Sequence, residues 1–366
     1  MTRNLAAALL ALTLLAGACT DQDDAASREG AGPDQDDGAS REGTGPDQDD
    51  GASGEGTGPP ARPVIGAWHE LVADVDGDVV LVNGYPEDGT DPGPVELWRW
   101  DGERWTALEP AGDRPSARNF AGVTWDSARG EVVLYGGLTP DGASDETWTW
   151  DGDAWSLATG SGPGPRSSPS LAYDTASRRV LLYGGDDGAS QFDDTWAWDG
   201  DGWARVATDG PTPMRWPAFF EHDPESGSPV LYGGHQVVDE DGPAAVGDTW
   251  VWAGDRWRPI RGGGRAGPLV NANGVVHPDH GLLLVGGSDS EAENGRVWRW
   301  TGTAWQKLGD DVMPPRQAFG LAYDERRDVV VLTGGVVEPG SVERHQDVWE
   351  WVGDPGVPAV PVLADE

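Results

Sequence analysis

Seventeen of the chain's twenty tryptophans recur in register at intervals of about 50 residues, a repeat that restricts the fold to stacked copies of one small unit. Five sets are triplets: Trp98/Trp100/Trp105, Trp148/Trp150/Trp155, Trp196/Trp198/Trp203, Trp250/Trp252/Trp257 and Trp298/Trp300/Trp305. A sixth set keeps only Trp349 and Trp351. Each is preceded by an apolar run that, in five copies, ends in Gly-Gly: VVLYGG (132–137), VLLYGG (180–185), PVLYGG (229–234), LLLVGG (282–287) and VVLTGG (330–335). The first copy, VVLVNG (79–84), has Asn83 in place of a glycine.

The unit can be read strand by strand. A semi-apolar run opens it, as in SPSLAYD (168–174). The run before Gly-Gly is apolar at nearly every position, which suits a strand buried on both faces. Trp-x-Trp puts two indoles on one face of the next strand, because side chains alternate with period 2. Asp-Gly then supplies a hairpin turn at 101–102, 151–152 and 199–200, with Ala-Gly and Thr-Gly at 253–254 and 301–302. The third Trp opens the outer strand. Four such strands make a sheet too small to stand alone, so its Trp face must pack against the next copy.

Gly-Gly followed by spaced aromatics, repeated six times, resembles the kelch repeat. The resemblance implies an all-β chain: a six-bladed kelch-type β-propeller with four-stranded antiparallel blades over residues 61–360. It implies little about function, because such propellers serve many roles. Ring closure is open at this point. The segment VGDPGVPAVPVL after Trp351 could form a poor outer strand despite Pro358 and Pro361, or residues 62–65 could supply one from the other end.

Upstream of the repeat, Arg3, an apolar run from Leu5 to Leu15 and Ala16-Gly17-Ala18-Cys19 read as a secretory signal (1–18). The small residues ending in Cys resemble a bacterial lipobox, with Cys19 as the lipidated first residue of the mature chain. Cys19 is the only cysteine, so no disulfide is expected in the folded domain. Residues 19–60 hold a thirteen-residue acidic unit written three times, with no apolar anchor to offset the entropy of ordering it. This linker is expected to be a solvated spacer reaching beyond roughly 35 Å. Residues 361–366 are read as a tail. The expected location is extracytoplasmic, lipid-anchored to the cell membrane, and the expected state a monomer.

A net charge of −38 excludes a continuous basic face for nucleic acid. The candidate ligand residues lie on the end of the ring that carries the connections before the first and after the second strand. Arg118, Arg166, Arg215 and Arg316 each sit eight residues before the Asp that ends the first strand (Asp126, Asp174, Asp223 and Asp324). The resemblance puts them around the channel mouth, where guanidinium groups suit carboxylates; the alternative is that each pairs within its own blade. The fifth unit departs, with Arg265 three residues before Pro268. Trp216, His235 and Gln236 break the repeat and are candidates for an aromatic–polar patch that grips sugars or peptides, or else simply an exposed loop.

For metals, Asp74, Asp76 and Asp78 resemble the start of a calcium loop, but the later acidic ligand is absent and an Asp-Gly turn explains them equally well. No other cofactor is expected. Copper radical oxidases share this propeller type, but their cofactor needs a Tyr–Cys cross-link, and Cys19 belongs to the lipobox. The expected function is a membrane-anchored binding or scaffold module for protein or glycan, without catalysis. The alternative is a sugar-acid mutarotase or epimerase acting in the channel, which needs an Arg for the carboxylate and an acid/base pair. No first strand shows an unmistakable, unpaired Glu or His for that role.

Overall fold

The structure is a computed structural model that describes residues 62–363, apart from 66–68, 74–75, 84–92, 212–214, 216–217, 238–242, 263–265, 289–293 and 337–343. The signal segment, Cys19 and the acidic linker therefore lie outside the described residues.

Six four-stranded antiparallel sheets follow one another along the chain. Blade 1 is β1 (Glu70–Ala73), β2 (Val79–Asn83), β3 (Glu96–Trp100) and β4 (Trp105–Leu108). Blade 2 is β5 (Gly122–Asp126), β6 (Glu131–Tyr135), β9 (Thr147–Trp150) and β10 (Trp155–Leu157), with the short hairpin β7 (Leu138–Thr139) and β8 (Gly142–Ala143) between its second and third strands. Blade 3 is β11 (Ser170–Asp174), β12 (Arg179–Tyr183), β13 (Thr195–Trp198) and β14 (Trp203–Ala207). Blade 4 is β15 (Phe219–Asp223), β16 (Ser228–Tyr232), β19 (Thr249–Trp252) and β20 (Trp257–Pro259), again with a hairpin, β17 (His235–Val237) and β18 (Pro243–Ala245). Blade 5 is β21 (Asn273–His277), β22 (Gly281–Val285), β23 (Val297–Trp300) and β24 (Trp305–Gly309), and blade 6 is β25 (Gly320–Asp324), β26 (Val329–Thr333), β27 (Val348–Trp351) and β28 (Val360–Leu363). Each blade's first strand packs on that of the next, and β25 packs back on β1. The chain is a six-bladed β-propeller.

The second strands are the driest part of the molecule: Val132, Val133, Val180, Leu182, Leu231, Leu283, Leu284 and Val331 are all at most 1 % exposed. That follows from their position, with a strand on either side and a blade on either face. In the Gly-Gly that follows, both residues take positive φ in five blades, as at Gly136 (68°) and Gly137 (94°). A Cβ on Gly136 would lie 2.4 Å from the Arg166 carbonyl oxygen of the next blade. Glycine is required there twice over, by conformation and by approach.

The tryptophans join sheets. Within a blade, the second and third Trp stand opposite each other across the outer pair of strands, as Trp100 and Trp105 do with centroids 5.1 Å apart. Between blades, the third Trp meets edge-on the Tyr that ends the preceding blade's second strand: Tyr135–Trp203 at 5.2 Å, Tyr183–Trp257 at 5.5 Å and Tyr232–Trp305 at 5.4 Å. The same indole N–H donates backwards to a threonine on the preceding blade's third strand: Trp203 to Thr147 (2.8 Å), Trp257 to Thr195 (2.8 Å) and Trp305 to Thr249 (3.1 Å). Where that threonine is replaced the bond fails. Leu97 and Val348 hold its place in blades 1 and 6, and the Nε1 atoms of Trp155 and Trp105 are buried without a partner.

This pattern sets a paired prediction. Thr195→Val orphans the Trp257 N–H and is expected to cost about 1–2 kcal/mol, whereas Val348→Thr, the same exchange in reverse, should gain about 1 kcal/mol by giving Trp105 an acceptor. Urea unfolding followed by tryptophan fluorescence reads both, and equal signs for the two variants would refute the pairing.

Closure uses the tail. β28 pairs with β27 as blade 6's outer strand, with Pro361 opposite Trp349 beside a register shift, where its missing N–H costs least. The sheet thus runs to Leu363, three residues past the boundary drawn from sequence. The other end of the chain docks without adding a strand. Buried Ile65 exchanges two hydrogen bonds of 2.8 Å with the Gln346 amide, and the Gly320 N–H donates to His69 Nε2 (3.1 Å).

Candidate functional site

The four repeat-encoded arginines lie inside their blades. Arg118, Arg166, Arg215 and Arg316 are 2 %, 0 %, 1 % and 2 % exposed. Each Nη1 donates to the carbonyl of the first glycine of its own Gly-Gly: Gly136 (3.0 Å), Gly184 (2.9 Å), Gly233 (3.4 Å) and Gly334 (2.8 Å). Each guanidinium also pairs with the acid that precedes the third strand: Glu146 (2.6 Å), Asp194 (2.9 Å), Asp248 and Asp347 (2.7 Å). That acid in turn accepts the N–H of the blade's first Trp, from Trp148 (3.0 Å), Trp196 (2.7 Å), Trp250 (2.7 Å) and Trp349 (2.6 Å). Burial raises the Asp347 carboxyl, but the Arg316 bonds and charge, with the Trp349 N–H, outweigh it and hold its pKa below the usual range. These arginines present no guanidinium to the channel; they brace strand to strand.

Blade 5 shows the same logic by exception. Leu269 occupies the arginine's place, Arg296 occupies the acid's, and the Trp298 N–H is buried without a partner. The brace is lost as a whole. Arg265 lies outside the described residues.

The repeat-breaking candidates sit on the end that carries the β7–β8 and β17–β18 hairpins. His235 opens β17 and pairs with Ala245, and Gln236 pairs with Ala244. Burial drives the His235 imidazole down to a pKa of about 4, so it is neutral, and its two ring nitrogens are buried without a hydrogen-bond partner among the described residues. Trp216 lies outside the described residues, and so does Asp74. Asp78 is engaged by Arg326 (2.6 Å) and Arg99 (3.4 Å), and the Asp76 carbonyl accepts from Arg326 Nε (2.9 Å), so this turn ties blade 1 to blade 6. Among the described residues no group of three or more His, Cys, Asp or Glu side chains converges as a metal site would.

What remains unspent by the fold lines the central channel, a cavity of about 490 Å³ enclosed by the six first strands. It runs from the mouth, at Phe120, Ser168, Asn271 and Ala318, to the far end at Ser127, Thr175 and Glu325. Phe120, Ser168, Asn271 and Ala318 hold equivalent places and all take left-handed backbone, with φ between 52° and 58°. Backbone bonds run from blade to blade at this level, Ser168 N–H to Phe120 O (2.8 Å) and Ala318 N–H to Asn271 O (3.1 Å), which fixes the mouth. Among the described residues no Lys or Arg lines the cavity.

Three carboxyls line it: Glu325 at the far end, and Glu70 and Glu221. Glu70 stands on β1 and Glu221 on β15, strands of blades 1 and 4, which are opposite each other in a ring of six. Burial is the main cause that raises Glu70 to a pKa of about 8; a hydrogen bond with the Asn273 side chain opposes this and the charge of Glu221 adds to it. Burial likewise raises Glu221 to about 7, against the bond its Oε1 accepts from the His222 N–H (2.7 Å). His222 is itself held neutral, chiefly by burial, with a lowered pKa. Asn271, 9 % exposed at the mouth, donates from Nδ2 to Gln317 Oε1 (2.9 Å), while its Oδ1 is buried with no partner.

No protein-family model matches this chain, and no curated protein does either.

The sequence reading found no unmistakable, unpaired Glu or His on a first strand; the structure places Glu70, Glu221 and His222 on first strands, Glu70 bonded to Asn273 and Glu221 to the His222 N–H. In the other blades the place of Glu70 holds Gly122, Ser170, Phe219, Asn273 and Gly320, and that of Glu221 holds Val72, Thr124, Ala172, Val275 and Ala322. The signal available in the sequence was a charged residue at a position that is small, apolar or neutral in every other copy.

Proposed function

We propose that this chain is a non-catalytic binding module of the kelch type, tethered outside the cytoplasm through Cys19 and its acidic linker, that takes a ligand into the channel from the hairpin-bearing end. The observation that carries this reading is the division of polar groups. The repeat-encoded arginines and acids are consumed inside the blades in ion pairs, whereas Glu70, Glu221 and Asn271 line one cavity with no arginine or lysine of its described wall to neutralise the carboxyls. Its volume falls in the range of small-ligand sites, about 300–1,000 Å³.

An epimerase-type reaction on a sugar acid is the second reading. Two carboxyls held near neutrality in one cavity are the equipment for proton transfer. Against it, no arginine among the described channel residues awaits a substrate carboxylate.

The test is a glycan and peptide screen of the purified mature protein, with hydrogen exchange on any hit and a turnover assay on sugar acids. The expected result is a bound ligand that protects the first strands and the residues around Asn271 and Gln317, with no product formed. Protection confined to outer strands such as β4 or β28 would refute the channel reading, and turnover would replace it with the enzymatic one.

A further inference from the structure

We propose that the channel's ligand is a small organic cation, a primary ammonium or guanidinium group held between Glu70 and Glu221 and approached by the Asn271 amide oxygen. The inference rests on the channel reading above and adds the ligand's chemistry.

The unmet groups on the channel wall are the Asn271 Oδ1, the carboxyls of Glu70 and Glu221 and the His222 Nδ1, which a neutral imidazole can offer as an acceptor. The Oδ1 of Asn271, nine-tenths buried, has no donor, and the carboxyls of Glu70 and Glu221 meet no lysine or arginine from the described wall. Asn273 bonds the Glu70 carboxyl, and also gives its Nδ2 to the Phe319 carbonyl (3.0 Å) and accepts the Gly274 N–H on its Oδ1 (2.7 Å). Ser170 is committed to the Ala218 carbonyl (3.0 Å). A wall of acceptors is matched by a group that only donates, and ammonium and guanidinium are the groups of that kind. A sugar hydroxyl would need donors in return. Phe120, Trp125, Tyr173 and Tyr323 add ring surface of the sort that attracts cations. The net charge of −38, concentrated by low-dielectric walls, draws cations to the pore. A calcium ion fits less well. It needs six or more oxygens within about 2.6 Å, whereas these carboxyls come from opposite blades of a cavity of about 490 Å³.

A cation seated there favours the ionised carboxyls, so binding must release protons from Glu70 and Glu221 at neutral pH. The other titratable groups on the wall are His69, Tyr173, His222, Tyr323 and Glu325. His69 Nε2 accepts the Gly320 N–H (3.1 Å), the Tyr323 hydroxyl bonds Asp328 (2.6 Å), and Glu325 stands at the far end.

The experiment is isothermal titration of the full mature protein with putrescine, with glucose and calcium chloride as comparison probes, in buffers of differing ionisation enthalpy. Putrescine is expected to bind with proton release, its affinity rising by up to about tenfold per pH unit for each carboxyl that must ionise, from pH 6 until about pH 8. Glu221→Gln should weaken it by about tenfold or more while the variant remains folded by tryptophan fluorescence. Glucose or calcium binding as tightly as putrescine, or an affinity that falls as pH rises, overturns the proposal. A neutral or anionic ligand found in the channel sinks the cation assignment alone; a ligand that never touches the channel sinks the reading beneath it.

Discussion

Arg316→Leu is expected to destabilise the propeller by about 3–5 kcal/mol, read as a drop in the urea midpoint at pH 7. The guanidinium is 2 % exposed and grips Asp347 with two bonds of 2.7 and 3.0 Å while donating to the Gly334 carbonyl at 2.8 Å. Leucine fits such a place, since Leu269 is buried at the equivalent position in blade 5. The damage therefore comes from what is left behind, a largely buried carboxylate with no countercharge. Two outcomes separate this account from simple loss of packing. The penalty should shrink as pH falls towards 4, because a protonated Asp347 no longer needs a cation. Arg316→Leu combined with Asp347→Asn should recover much of the loss, because the amide oxygen still accepts from Trp349. A penalty that is the same at pH 4 and pH 7 would show that charge has no part in it.

Glu70 and Glu221 should give the folded protein an unusual pH profile. Each carboxyl has its folded pKa raised, to about 8 and about 7, above the ordinary value of 4.5. The native state therefore holds protons that the unfolded chain has released, and stability is greatest below pH 4.5 as far as these groups are concerned. It falls as pH rises through the folded values and levels off above about pH 8.5. At about 1.4 kcal/mol per pK unit, the loss is on the order of 3–5 kcal/mol for each carboxyl, less than additive because the two interact. Glu70→Gln with Glu221→Gln should remove this slope and stabilise the protein at pH 8. Denaturant midpoints of both proteins from pH 5 to 9 check it; a double variant that keeps the parental slope would place its origin elsewhere.

The architecture was open to reading because it is written six times. Trp98, Trp148, Trp196, Trp250, Trp298 and Trp349 announce one strand in one register, and the glycine pairs announce the strand before it. Direction was harder. The spacing of Arg118, Arg166, Arg215 and Arg316 makes them equivalent but is silent on whether they turn towards the channel or towards their own third strand. Blade 5 held the answer in the sequence, since Leu269 and Arg296 replace brace and acid together, and that joint loss identifies them as partners. Closure depended on whether Pro361 could sit in a strand, a matter of local register beside Trp349 that composition does not reveal. Glu70 and Glu221 each stand out at their repeat positions, but that they share one cavity was illegible for a different reason. They lie about 150 residues apart and are opposed only because the fourth blade of six faces the first, so nothing short of the closed circle relates them.

Because Ile65 and β28 both end at the meeting of blades 6 and 1, that junction alone is crossed by no covalent connection. Every other pair of neighbours is leashed by a loop, so heat or tension that loosens the circle must unbuckle it there. Its rivets are particular ones: Arg326 on Asp78, the Trp100 N–H on Glu350 and the Gln346 amide on Ile65, beside a Trp105 indole N–H with no partner among the described residues. The bracelet has one clasp, and non-covalent contacts alone hold it shut.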